Sequence, residues 1–326
     1  MKKSFMFLLM VFLLLIPGLA LSKDSITIAM GYIPNVQFAP YYIAMEKGYF
    51  EKEGLEVSFD YGMATDIMSL VANGVVDFGV SDGDQVIIAR EKKVPIKVVY
   101  SMYVKYPVGV VSLKKSGITD IHSLKGKRVG TPAPYGSNYI GLQVLLNRYG
   151  YTLKDIDLEF IGYTQVESIL SERVEASVVF INNEVIVLKD MGKEVNVIEV
   201  YPITPMVSAA IITSDRLIEK NPDLVKRFVS AVTLASRYAL TVQDEVIDLL
   251  KGYIPTLTDK NIDINKKVLV ESMKLWVDKD IEKYGLGYTT RADWESSVEI
   301  LYELGLIERM IDADECFSNE FLIYGK

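Results

Sequence analysis

Cysteine and histidine are almost missing from this chain. Of its 326 residues one is cysteine, Cys316, and one is histidine, His122. A single cysteine excludes an intramolecular disulfide, even in a compartment that would permit one. One histidine argues against a histidine-based zinc site, and the two together against a Cys/His nucleophile pair. We therefore expect no catalytic residue, no metal and no cofactor. His122 lies in DIHSLKGKRVG, read as a solvated surface turn. Basic blocks are also lacking. Lys and Arg number 35 against 43 Asp and Glu, a net charge of −8, which leaves no electrostatic footprint for nucleic acid. The acidic balance is read as solubility. No internal repeat with a period of 20–50 residues and no low-complexity tract is present.

Long hydrophobic runs are missing except at the N-terminus. Lys2 and Lys3 precede an apolar stretch from Phe5 to Ile16, followed by Pro17-Gly18 and then Ala20-Leu21-Ser22 before Lys23. That order is expected of a secretory signal peptide covering residues 1–22. The apolar part is short for a membrane anchor, which takes roughly 20 residues. Without a cysteine near the site, lipoprotein anchoring is not expected. The mature chain is then expected to be periplasmic or secreted.

Beyond the signal, half of the residues are hydrophobic, enough for a sizeable core and about two domains at this length. From residue 24 to about 105 strands and helices alternate. Ile26, Ile28 and Met30 show a period of two, a helix opens at Pro40, Gly54 fits a left-handed stop, and Leu55, Val57 and Phe59 alternate again. Helix 65–73, strand 76–80, a helix after Asp84 and strand 96–103 follow. The pattern restarts at about 108, with strands at 107–114, 128–131, 157–163, 176–181 and 195–200 and helices between them. Residues 205–214 read as a returning strand. The tail is helical at 221–240, 244–251, 262–282 and 291–304. Alternation of this kind gives largely parallel sheets flanked by helices.

Polar and aromatic residues gather where these strands end, which is where α/β sheets bind ligands. After the first strand come Tyr32, Asn35, Gln37 and Phe38, rings to stack on a flat ligand and amides to bond its edge; a turn made by Pro34-Asn35 is the alternative. Ser81 and Asp82 follow strand 76–80 and either meet ligand or cap the next helix. Tyr103, beside Met102, forms a pocket wall or packs a hinge. Tyr135, Gly136, Ser137 and Tyr139 surround a helix start, with Ser137 the candidate cap and free N–H groups available to a carbonyl or an anion. Asn182 and Glu184 follow strand 176–181, and Tyr201 follows strand 195–200. None of these loops holds Lys or Arg, which an anion site would want.

The run PN…AP.Y.A…KGYF..EGL.V at residues 34–57 resembles the opening of a family of substrate-binding proteins. These feed ATP-driven importers of thiamine-precursor pyrimidines, riboflavin, alkyl sulfonates and nitrate. The yeast-type thiamine-pyrimidine synthases share the fold. VDFGVSDGDQVIIAR (76–90), DIHSLKGKRVGTP (120–132), NPDLVKRFVSAV (221–232) and SNEFL (318–322) extend the resemblance over nearly the whole mature chain. It implies an α/β, two-lobed periplasmic binding protein of type II. One lobe would be discontinuous, 24–106 plus 208–326, and the other would span 107–207. Crossings near Lys105–Pro107 and Val207–Ala209 would form the hinge, with the ligand between the lobes.

The resemblance implies a monomeric binding protein with a small-molecule ligand and a membrane permease as partners. Among family ligands a thiamine-precursor pyrimidine, hydroxymethyl- or formylamino-aminopyrimidine, comes first. Riboflavin is second, because Phe38 stands where many pyrimidine-binding members have histidine. Sulfonates, taurine or nitrate come third. A pyrimidine synthase is a remote alternative: those enzymes use a cysteine-rich segment and histidines, which this chain lacks.

Overall fold

The computed structural model describes residues 23–62, 67–201 and 203–323, apart from the side chain at 244; the expected signal peptide lies outside the described residues. The strands are β1 Asp24–Ala29, β2 Leu55–Asp60, β3 Phe78–Asp82, β4 Ile96–Ser101, β5 Val108–Leu113, β6 Arg128–Thr131, β7 Asp157–Phe160, β8 Ala176–Phe180, β9 Val195–Glu199 and β10 Ala209–Ser214. They form two five-stranded sheets, in the orders β2-β1-β3-β10-β4 and β7-β6-β8-β5-β9. β1 pairs parallel with β2 and β3, and β6 pairs parallel with β7 and β8. Each sheet also holds one antiparallel strand: β10 runs against β3 and β4, and β5 runs against β8 and β9. The chain therefore leaves the first sheet after β4, builds the second from β5 to β9, and returns as β10.

Helices cover the faces of both sheets, as parallel strands joined by crossovers require. In the first sheet the helix Pro222–Thr241 carries Phe228 into a stack of rings. Its centroid lies 4.0 Å from that of Phe78 and 5.3 Å from that of Phe50. Asn221 caps this helix by accepting from the Leu224 N–H, and Pro222 sits in its first turn, the expected arrangement at an N-terminus. A further cluster of buried side chains joins the two sheets, with Ile96, Val98, Val108, Val110, Ile140 and Trp294 among its members. Gly141 permits this closeness. A Cβ there would come within 2.6 Å of Val108 Cγ1, so the helix Gly136–Arg148 can settle directly on β5.

Local expectations meet particular outcomes. Gly54, Gly74 and Gly150 have φ of +71°, +68° and +74°, the left-handed conformation that ends a helix without steric cost. The tail expected as one helix over 262–282 is two, Ile262–Met273 and Lys279–Tyr284. Asp278 caps the second, its carboxylate accepting from the N–H groups of Asp280 and Ile281. The start near Asn138 is also corrected. The helix begins at Gly136 with Tyr135 as its uncapped N-terminal residue, because the Ser137 hydroxyl is engaged elsewhere. No helix among the described residues is long and apolar enough to cross a membrane.

Candidate functional site

The carboxyl ends of β1, β3, β6 and β8 face one another across a cleft of about 570 Å³, within the range of small-molecule sites. One wall comes from the first sheet: Met30, Tyr32, Gln37, Phe38, Tyr41, Ser81, Asp82, Met102 and Tyr103. The other comes from the second: Tyr135, Gly136, Ser137, Asn138, Tyr163, Gln165, Phe180, Asn183 and Glu184. None of the described lining residues is lysine or arginine.

The aromatic groups are arranged in two manners. Phe38, Tyr41, Met102 and Tyr103 are buried in the first sheet's core. Tyr103 accepts from Gln37 Nε2 at 3.4 Å, and burial pushes its hydroxyl up to about 12. Tyr135 and Tyr163 are more than half exposed, at 58% and 56%. Tyr32 meets Tyr163 edge to face across the cleft, centroids 5.4 Å apart and planes at 61°, a favourable arrangement for two rings.

The polar groups are amides, hydroxyls and two carboxyls, Asp82 and Glu184. Glu184 lies at the start of the helix Glu184–Asp190 and takes the Phe180 N–H at 3.0 Å and Asn183 Nδ2 at 2.8 Å. Burial nevertheless pushes its carboxyl up to about 7, the two backbone N–H groups at Glu184 and Phe180 offsetting part of the rise. Asp82 is raised as well, by burial first and then by the carboxylate of Asp84. Asn138, on the second wall, carries a buried Oδ1 with no protein partner.

The structure thus gathers Tyr32, Gln37, Phe38, Ser81, Asp82, Tyr103, Tyr135, Gly136, Ser137 and Glu184 around one cleft. The remaining candidates do other work. Asn35 caps a single turn at Val36–Phe38, its Oδ1 accepting from the Gln37 N–H at 3.0 Å. Asn182 turns away and donates to Ser272 Oγ at 2.9 Å, buried against the C-terminal helices. Tyr139 leans on Phe160, centroids 6.4 Å apart, and Tyr201 packs on the cluster shared by the sheets. Sequence reasoning missed Tyr41, Gln85, Tyr163 and Gln165, and set Asn183 behind its neighbours Asn182 and Glu184. Tyr163 lies just beyond β7, which ends at Phe160, so the end-of-strand rule could have found it. Tyr41 is hidden within an ordinary helical run. His122 is on the outer surface, its Nδ1 3.0 Å from Tyr151 Oη.

The family model described as NMT1/THI5 like matches residues 35–246, about two thirds of the sequence. The chain belongs to the NMT1/THI5-like family. Its relatives include binding proteins and synthases. It is 32% identical over 309 residues to the riboflavin-binding protein RibY of Chloroflexus aurantiacus, covering 94% of this chain and 88% of that protein. It is 25% identical over 316 residues to a 4-amino-5-hydroxymethyl-2-methylpyrimidine phosphate synthase of Aspergillus parasiticus, covering 93% and 88%. The fold is that of the periplasmic binding proteins. The aliphatic sulphonate binding protein SsuA of Escherichia coli superposes with a TM-score of 0.70 at 14% identity, over 94% of this NMT1/THI5-like chain and 95% of SsuA.

Proposed function

We propose that this chain is the extracytoplasmic solute-binding protein of an ATP-driven importer, and that its solute is a flat, uncharged heteroaromatic of the riboflavin type. One observation carries the ligand reading: a cleft with aromatic side chains on both walls, amide, hydroxyl and carboxyl groups between them and no lysine or arginine among the described lining residues. Stacked rings reward a planar ligand, each contact contributing about 0.5–1.5 kcal/mol beyond its area. Glu184, Asp82 and Asn138 can accept from the imide or amine N–H groups of such a ring. A sulfonate or nitrate would find carboxyls in place of the Arg or Lys it needs. The 32% identity to a riboflavin-binding protein supports the flavin. A one-ring aminopyrimidine is the second reading, favoured by Glu184, whose carboxyl suits an amidine-like edge.

The segments between β4 and β5 and between β9 and β10 act as the hinge between lobe 24–106 plus 208–326 and lobe 107–207, and the lobes close on the solute. The protein works without catalysis, as a monomer delivering to a membrane permease. Calorimetry with riboflavin, hydroxymethyl-aminopyrimidine and an alkanesulfonate tests the reading. Riboflavin is expected to bind most tightly, with scattering curves that contract on saturation. Preference for the pyrimidine promotes the second reading, and tight sulfonate binding overturns both.

A further inference from the structure

The junction between the two sheets contains two carboxyls that the ligand reading does not fully use. Asp82 ends β3, and Asp84 follows two residues later, fully buried at the start of the helix Gly83–Glu91. Ser137, from the first turn of the helix Gly136–Arg148, places its Oγ 2.8 Å from Asp82 Oδ2 and 2.9 Å from Asp84 Oδ1. Tyr106, in the segment that crosses from β4 to β5, places its Oη 2.6 Å from Asp84 Oδ2 and 2.9 Å from the Ser137 carbonyl oxygen. One carboxyl pair is therefore tied to the other sheet by a hydroxyl and by the crossing segment itself.

The protons can be counted. There are four close oxygen–oxygen contacts and two hydroxyls, each with one proton to give. With both carboxyls ionised, two of the four contacts hold no proton and set oxygen lone pairs against each other. A proton on Asp84 fills one of the two: Asp84 donates to Tyr106, Tyr106 to the Ser137 carbonyl and Ser137 to Asp82, which leaves only Ser137 Oγ and Asp84 Oδ1 facing each other without one. Among the described residues no cation stands in for that proton. Around the pair lie Gln85, whose Nε2 is 3.4 Å from Asp84 Oδ1, and the neutral rings of Tyr103 and Tyr163. On the packed helix Arg291–Glu303, Trp294 covers Gly83, while Arg291 pairs with Glu295, Asp312 and Asp314. Arg90, at the far end of the pair's own helix, is held by Asp215.

We propose that Asp82 and Asp84 share a proton across the junction of the two lobes, and that this proton sets the pH range in which the cleft holds its solute. Tyr106 and Asp84 are then positioning residues: they hold Ser137 and Asp82 against each other without touching solute. Burial raises both carboxyls above their ordinary range, with the Asp84 carboxylate adding to the rise at Asp82 and the hydrogen bonds from Tyr106, Ser137 and Gln85 offsetting part of it at Asp84, which agrees with a proton retained near neutrality. Loss of the proton at higher pH leaves two carboxylates of one lobe facing Ser137 of the other with too few protons between them, which weakens the tie that holds the lobes together.

The proposal rests on the solute-binding reading only for its consequence, so the test has two arms. In the first, the solute-free protein with isotope-labelled aspartate is titrated by infrared spectroscopy. A protonated aspartate carboxyl is expected to persist above about pH 6, well past the ordinary Asp range near 3.9, and to titrate differently in Tyr106→Phe, which removes one hydroxyl proton. In the second, riboflavin affinity is measured from about pH 6 to about pH 9, and is expected to fall roughly tenfold or more, a loss of about 1.4 kcal/mol. Asp84→Asn, with a permanent neutral amide, should flatten that slope. Aspartates that all titrate in the ordinary range, in the wild type and in Tyr106→Phe, would overturn the shared proton. A pH slope unchanged in Asp84→Asn would overturn its link to binding. Riboflavin failing to bind at any pH would sink the flavin reading and leave the infrared arm to decide the proton.

Discussion

The two sheets repeat one strand order, yet they meet the cleft differently. In each, a strand arriving from the other side of the molecule is inserted antiparallel next to the third parallel strand: β10 beside β3, β5 beside β8. The first sheet presents side chains already packed into its core, such as Tyr103 at 5% exposure and Tyr41 at 0%. The second presents rings still in solvent, Tyr135 and Tyr163. A wall that is finished before the ligand arrives can orient it at little conformational cost. A wall with exposed rings has apolar area left to bury, so its gain is realised on closure. The difference teaches that stability and affinity are separable here: the first wall carries both, the second mainly affinity.

The largest expected effect tests the packed side. Phe228→Ala removes a ring stacked on Phe50 and Phe78 and should destabilise the protein by about 3–5 kcal/mol. Denaturant unfolding measures it, and a loss under 1 kcal/mol would mean that the first lobe is not the rigid partner. Glu184, on the second wall, comes next through pH. Its folded carboxyl titrates at about 7, above an unfolded value near 4.3. The folded state therefore holds the extra proton between those values. The stabilisation from that proton is complete below about pH 4 and is lost as pH rises to about 7. It is on the order of 4 kcal/mol. Unfolding free energies of wild type and Glu184→Gln across this window should diverge, with the Gln variant the flatter; parallel curves would show that Glu184 is not held out of water.

Smaller effects sharpen the contrast. Tyr163→Ala should weaken riboflavin binding by about 1–2 kcal/mol, roughly 5- to 30-fold, and change stability by no more than about 0.5 kcal/mol, as for an exposed site. Calorimetry and thermal melting of the same preparation check both halves, and a variant that melts much earlier would erase the distinction between the walls. Asn35→Ala removes a cap outside the cleft. It should cost about 1 kcal/mol of stability and leave affinity within about twofold; a large affinity loss would return Asn35 to the site.

Much of the fold was legible because local chemistry and period agree. Ile26, Ile28 and Met30 alternate and are buried, and left-handed glycines end their helices where the residue pattern stops. The end-of-strand rule pointed to Tyr32, Asp82, Ser137 and Glu184 without any view of the cleft. Asn35 and Asn182 show its limit. An amide beside a strand end can serve a ligand, a cap or a neighbouring helix equally well, and its residue type does not say which. For Asn182 the answer lay 90 residues away, at Ser272.

The sequence by itself determined the alternation of strands and helices, the scarcity of cysteine and histidine, and the supply of rings and uncharged or acidic groups at strand ends. Periodicity, propensity and composition act over a few residues, so they can be read along the chain. Only the tertiary structure decided which sheet each strand joins and which rings remain exposed. It alone placed Asp82, Asp84, Tyr106 and Ser137 in one contact. Those outcomes depend on where the chain crosses between sheets. A hydroxyl at position 137 meets a carboxyl at position 82 through the packing of two helices, and no local pattern records that.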